Sequence, residues 1–210
     1  MSGVVLFGIG SSIVVEYVET CRRLGRQIAL AVRNRPGPAF FADAAAIVDV
    51  AALTNVPDLP CFCPMFTPQN RRVASGEASA LGLAFRGALI DPTAIVASSS
   101  SPGAGTFINA GCIVGANCEV AEHVLLNRGV TVGHHVSLGP FASLGPSAVI
   151  GGHVSIGEGA MIGAGAIVLP SVRIGANAIV AAGAVVVRDV PAGTRVMGNP
   201  ARAVEPARFE

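Results

Sequence analysis

The chain has 210 residues, of which 51% are hydrophobic, 13% charged and 5% aromatic, with a formal net charge of +1. That balance offers no basic stripe for nucleic acid and no apolar run of the ~18 residues a membrane span needs, so neither partner is expected. The length suits one large domain or two small ones, and 26 Gly without a collagen triplet point to tight turns at short, regular intervals.

In chain order, Val4 to Phe7 reads as a buried strand and runs into Gly8-Ile9-Gly10-Ser11-Ser12. Ile13 to Leu24 has helical spacing, with Val14, Val18 and Cys21 on one face, and Gly25 marks its stop. Gln27 to Val32 is a second strand, which makes a strand-helix-strand unit suited to a parallel sheet. Ala45 to Val50 and Cys61 to Cys63 are candidate short strands, and Thr67-Pro68 opens a helix to about Leu81. The N-terminus carries no basic segment ahead of its apolar stretch, so no signal peptide is expected and the expected location is cytoplasmic. Cys21, Cys61, Cys63, Cys112 and Cys118 are odd in number and irregular in spacing, and read as reduced packing thiols.

From Ile90 to Pro191 the pattern changes to an uninterrupted period of six. Every hexad from Ile90 to Val186 begins with Ile, Val or Leu except the one at Pro102. The fifth position is small or β-branched, as at Ala94, Cys112, Val136 and Ala166, and the second is rich in Gly and Asn. Such a period means a solenoid: each hexad is a short strand plus a corner, and three hexads make a triangular coil of 18 residues. The second-position Gly and Asn are expected to supply positive φ at the corners. The expected domains are 1–86, a small α/β unit; 87–195, the solenoid; and 196–210, a tail.

The hexads from Ile90 to Pro191, the closing run Ala182 to Pro191 and the following Val196-Met197-Gly198-Asn199-Pro200-Ala201-Arg202 resemble the left-handed parallel β-helix of hexapeptide acyltransferases. The Gly8-x-Gly10 loop and the junction Leu89-Ile90-Asp91-Pro92-Thr93-Ala94 narrow the resemblance to sugar acetyltransferases of the sialic-acid and bacillosamine type. These place a small Rossmann-like nucleotide-sugar-binding domain before the β-helix. The resemblance implies transfer of an acyl group from acetyl-CoA, or another acyl-CoA, to an amino or hydroxyl group of a sugar, without a metal and in a homotrimer.

Direct acyl transfer needs a base for the nucleophile's proton and donors for the developing oxyanion. His134 sits at a corner and aligns with the family's catalytic histidine. His135 stands where the family carries an acid that orients that base. By stacking register His135 belongs between Asn117 and His153, either as polar corner lining or as a modified relay. Asn127, one hexad earlier, either borders the acceptor pocket, as in the family, or is a plain left-handed corner. Gly8, Gly10, Ser11 and Ser12 form an anion-binding loop at a helix N-terminus, with Ser11-Ser12 where the family has Gly-His. Arg33 and Arg35 end the second strand where an acidic residue would grip the ribose of a dinucleotide, which disfavours NAD chemistry. For the coenzyme, the resemblance implies Gly152, Ala164 and Ala182, with Ser143 near the thioester and Arg188 near the phosphates.

Two other readings stand beside this one. A non-catalytic scaffold or binding protein would tolerate His135, Ser12 and Ser143. A γ-carbonic-anhydrase-like enzyme would need three histidines converging on zinc from two subunits, and His134, His135 and His153 lack that spacing. With no loop extruded from the hexads, the N-terminal part is expected to supply the remaining acceptor wall.

Overall fold

The computed structural model describes residues 3–40 and 47–204. The first part holds β1 (Val4–Phe7), α1 (Val14–Arg23), β2 (Ile28–Arg33), β3 (Ile47–Asp49), β4 (Cys61–Phe62) and α2 (Pro68–Ala80). The four strands form one parallel sheet in the order β3-β2-β1-β4. β1 is buried along its whole length, as its unbroken apolar run requires of an inner parallel strand. α1 ends at a left-handed Gly25 (φ 63), and the Arg26 N–H closes the turn onto the Cys21 carbonyl at 2.9 Å. The strand expected from Ala45 begins with two residues outside the described set. It then pairs with β2 over Ile47–Asp49 and turns into a short 3-10 segment at Val50. The five cysteines are free and buried.

The solenoid runs from the strand Leu89–Ile90 to the strand Arg195–Met197 as three parallel sheets. Strands pair with the one 18 residues ahead, for example Leu126 with Leu144 and Val132 with Ile150, until the last coil, where Ile179 pairs with Arg195, 16 residues ahead. This register supports the left-handed β-helix that the resemblance implies. First and fifth hexad residues fill the interior in one continuous cluster.

The corner chemistry differs from the expectation in an instructive way. Positive φ belongs to the fourth hexad position, at residues such as Gly111 (68°), Asn117 (56°), Gly129 (67°) and His135 (55°), and not to the second. Glycine at the second position answers a different demand. A Cβ on Gly103, Gly133 or Gly163 would lie 2.6, 2.7 or 2.3 Å from backbone atoms of the next coil. At these three glycine corners the stacked coils approach too closely for a side chain, so the second position there needs smallness, whereas the fourth needs conformational freedom.

The sixth position points outward, and its chemistry separates the three faces. On one face Leu89, Phe107, Leu125 and Ser143 are fully buried under the N-terminal part. Tyr17 stacks on Phe107 there with ring centroids 3.8 Å apart. A second face presents Ser101, Glu119, Ser137, Ser155 and Arg173 to solvent. The third presents Ile95, Ile113, Val149 and Ile167, each 37–65% exposed with no cover in the single chain.

Polar anchors lock the N-terminal part onto its face. Buried Asp91 accepts hydrogen bonds from Thr20 Oγ1 (3.0 Å) and Arg23 (2.8 Å) of α1, and from Thr93 of the first coil. These partners hold its carboxyl below the usual range against the opposing effect of its burial. Arg71 of α2 inserts its guanidinium against the solenoid backbone.

Beside Arg71, the His123 ring stacks on Phe141 (4.7 Å between centroids, 8° apart) and meets the edge of Phe85. Its Nδ1 has no hydrogen-bond partner among the described residues. Burial, reinforced by the Arg71 charge, pushes the imidazole down to about 4. The unfolded chain takes up this proton below about pH 6.5, the folded chain only near 4. Stability from this residue is therefore complete above pH 6.5 and is lost as pH falls toward 4, to the extent of roughly 3 kcal/mol. Thermal melts at pH 7.5 and 5 should show a larger loss in the parent than in His123→Asn, a residue that suits the left-handed backbone. Equal losses would remove His123 from the account.

Candidate active site

The β1–α1 loop is shaped by Gly8. Its φ is 85°, and a Cβ there would sit 2.2 Å from the Met65 methyl. The loop then divides two clefts. Gly10 and Ser11 line the larger, of about 400 Å³, with Asn34, Arg35, Phe66 and Asn70. Ser12 lines the smaller, of about 290 Å³, with Ile13, Glu16, Phe66, Asn127 and Arg128. Phe66 is common to both, so the clefts share a wall. Three of the four loop residues named from sequence, Gly10, Ser11 and Ser12, thus line one continuous region, and Asn127 joins them from the solenoid.

Asn127 is not a left-handed corner. Its Oδ1 takes hydrogen bonds from the Asn109 side chain at 3.1 Å and from the Arg128 N–H at 2.8 Å. Asn109 also donates to Glu16 at 3.2 Å, and Arg128 pairs with Glu16 at 3.2 Å. The stacking of Asn127 on Asn109 is therefore an ordered polar ladder tied to α1. Glu16 is not among the residues singled out from the sequence, and its part here emerges only from the fold. The arginines that end β2 are engaged: Arg33 holds Asp49 in a two-pronged pair, and Arg35, at the larger cleft, pairs with Glu77.

The histidine corner lies on a different edge of the prism. His134 and His135 follow the strand Thr131–Val132, whereas Asn127 follows Leu125–Leu126. His134 Nδ1 and His135 Nδ1 are 3.0 Å apart, so the hydrogen bond an acid would make is made by the second histidine. His135 Nε2 meets the Asn117 side-chain amide at 3.3 Å, and its ring stacks on His153 at 4.9 Å. The predicted Asn117-His135-His153 row is present.

Gly152 has a use that sequence reading did not assign. A Cβ there would approach His134 Cε1 and Nε2 at 2.9 and 3.0 Å. Glycine lets the imidazole lie against the next coil. Gly152→Ala should push the ring aside and lower transfer about 100-fold, since ~1 Å of misplacement has that effect. The melting temperature should hold, because His134 is exposed and free to swing. An unchanged kcat in this variant would show that the ring's seat does not matter.

The residues that the resemblance implies for the coenzyme sort onto two edges. Gly152 and Arg188 occupy the third hexad position one and three coils beyond His134. Ala164 and Ala182 lie two and three coils beyond Arg128, on the Asn127 edge. Arg188, Ala164 and Ala182 are exposed. Ser143 is a correction. It is fully buried beneath the N-terminal part, donates to the Phe66 carbonyl at 2.6 Å and accepts from Arg71 at 2.8 Å. Its hydroxyl fastens α2 to the solenoid and does not face a thioester.

Known proteins bear on this arrangement. A family model described as bacterial transferase hexapeptide (six repeats) matches residues 153–188. A histidine-to-alanine mutant of GDP-perosamine N-acetyl transferase from Caulobacter crescentus, in complex with CoA and GDP-perosamine, is 30% identical over 98% of both chains, with a TM-score of 0.86. The acetyltransferase domain of PglB from Neisseria gonorrhoeae FA1090, in complex with acetyl coenzyme A, is 27% identical over 96% of this chain and 98% of that one, also at 0.86. WeeI from Acinetobacter baumannii AYE shares the fold at 19% identity, covering 97% of this chain and 100% of that one, at 0.79. No curated protein matches.

Proposed function

Because this chain belongs to the hexapeptide-repeat sugar acetyltransferases, and is an acyltransferase with an acyl-CoA cosubstrate, we propose that it acetylates an amino or hydroxyl group of a nucleotide-linked sugar with His134 as general base. The observation that carries this reading is the pairing of His134 Nδ1 with His135 Nδ1, which leaves His134 Nε2 for substrate. In the productive tautomer His134 Nδ1–H donates to His135 Nδ1, and His135 Nε2–H donates to the Asn117 amide turned to present its oxygen. His134 Nε2 then takes the acceptor's proton as the acceptor nitrogen or oxygen attacks the thioester carbonyl. The carbon–sulfur bond breaks, and the imidazolium returns the proton to the departing thiolate.

The larger cleft at Gly10 and Ser11 would take the nucleotide, with the α/β unit of 1–86 as its binding domain. The smaller cleft at Ser12 and Asn127 would take the sugar. The sugar cleft and the base sit on the two edges that flank the uncovered apolar face. Closing three copies about that face would set the Asn127 edge of one beside the His134 edge of the next. The same closure gathers Gly152 and Arg188 of one copy with Ala164 and Ala182 of its neighbour around a coenzyme groove. A homotrimer is thus the assembly that completes the site.

Thiol release from acetyl-CoA across a panel of nucleotide-linked amino and hydroxy sugars tests the activity. Turnover with one nucleotide sugar and none with the free sugar is the expected result; no turnover with any would sink the reading. Light scattering should give a trimer, and the double variant Ile113→Glu, Ile167→Glu should give an inactive monomer that still folds. An active monomer would exclude a shared site.

A further inference from the structure

The corner that bears the base also gathers three ligand-grade nitrogens. One nitrogen each from His134, His135 and His153 lies within 4.8 Å of the others, and all three residues are exposed. The backbone fixes their placement. His135 and His153 hold the left-handed fourth position of successive coils, with φ of 55° and 59°. The His153 N–H donates to the His134 carbonyl at 3.0 Å, locking the two coils in register. The ring of His134 stands at 87° to His135 and 86° to His153, so it supplies a donor from a third direction.

We propose that His134, His135 and His153 bind a zinc-class divalent transition cation, and that the bound cation blocks acyl transfer. Imidazole is a borderline ligand that suits zinc, copper and nickel, with metal–nitrogen bonds of about 2.0–2.1 Å. Small rotations about the side-chain bonds bring three nitrogens from their present spacing to that distance. Three protein ligands leave the fourth position of a tetrahedral ion open to water. Competing soft ligands are removed, because the cysteines are all buried and so is His123. The cation occupies the lone pair of His134, and the imidazole can then take no proton from an acceptor. This consequence rests on the reading of His134 as base; the binding itself does not.

Chelator-treated protein titrated with zinc chloride in a calorimeter, without coenzyme because its thiol also binds zinc, tests the site. One zinc per chain is expected. His153→Ala should weaken binding at least about tenfold, since even loss of a residue that only supports a metal ligand weakens binding by ~10- to 100-fold. Cobalt should show the visible bands of a four-coordinate ion in the parent and lose them in His153→Ala. In the transfer assay zinc should inhibit the parent reversibly, with chelator restoring it, and should inhibit His153→Ala only at correspondingly higher concentration. No zinc binding, or binding indifferent to His153→Ala, overturns the site. Binding at the site without inhibition overturns the block. The base assignment is judged separately, from His134→Ala assayed in chelator.

Discussion

His134→Ala should lower acetyl transfer by about 10²- to 10⁴-fold, the range that a positioned general base contributes. The loss should fall on kcat. His134 is an exposed corner residue that holds no part of the core, so the melting temperature and the oligomeric state should be unchanged. Coenzyme binding should survive as well, because Ala164, Ala182 and Arg188, three of the residues proposed for it, lie two coils or more along the solenoid from His134 or on another edge. His135→Ala should have a smaller effect than His134→Ala, since it removes only the partner that fixes the imidazole's tautomer and angle. His135→Asp should retain more activity than His135→Ala if orientation of the ring is what the second histidine provides. Steady-state kinetics on the three variants, with melting curves as the control for folding, decide the matter. A His134→Ala enzyme with parental kcat would move the base elsewhere. Equal losses in the two alanine variants would instead make the histidine pair one inseparable unit.

The solenoid was legible because its constraint is periodic. A residue that must fill a triangular interior recurs every six positions from Ile90 to Val186. The same period misassigned the corner glycines: both the second and the fourth positions are turn-like in composition, and only backbone geometry tells a left-handed residue from one pressed against the next coil. The fate of each face was also written in the chain, but at a period of 18. Ile95, Ile113, Val149 and Ile167 share a face, and Ser101, Glu119, Ser137 and Ser155 share another. Residues that join the two parts were the least visible. Arg71 sits on a helix of ordinary polarity, and nothing in its neighbourhood in sequence hints that its guanidinium is buried against carbonyls 52 to 71 residues away. The loop and Asn127 could each be named from local pattern; that they share a wall through Phe66 required the fold. Ser143 was assigned by alignment to a role that its burial denies.

Arg71→Met should destabilise the N-terminal part by about 4 kcal/mol or more, the largest effect on stability expected of any single change here. The side chain is 1% exposed, and no carboxylate among the described residues pairs with it. Its charge is instead shared among the carbonyls of Met65, Phe66, His123, Phe141 and Ala142 and the hydroxyl of Ser143. Burial draws the guanidinium down to about 10, and it stays charged at neutral pH. Methionine matches its length but leaves the Met65, His123 and Phe141 carbonyls without this donor, while Phe66 keeps the Ser143 hydroxyl and Ala142 the Leu125 N–H, and each orphaned group costs about 1–3 kcal/mol. Arg71→Lys keeps the charge but offers three donors in place of five, so it should fall between the parent and Arg71→Met. The damage should be local. No Arg71 contact enters the solenoid interior, and stacked coils draw their stability from their neighbours. Unfolding should therefore split into an early loss of the N-terminal part and a later loss of the coils. Tyr17, the single tyrosine, is buried between these parts and reports the first event by fluorescence, while far-ultraviolet circular dichroism follows the second. The proposed nucleotide-sugar binding should vanish with the first transition, because Phe66, whose carbonyl takes both Arg71 and Ser143 hydrogen bonds, forms the wall between the clefts. A single transition, shifted by no more than a degree or two, would mean that carbonyl dipoles around a buried cation contribute far less to this junction than their number implies.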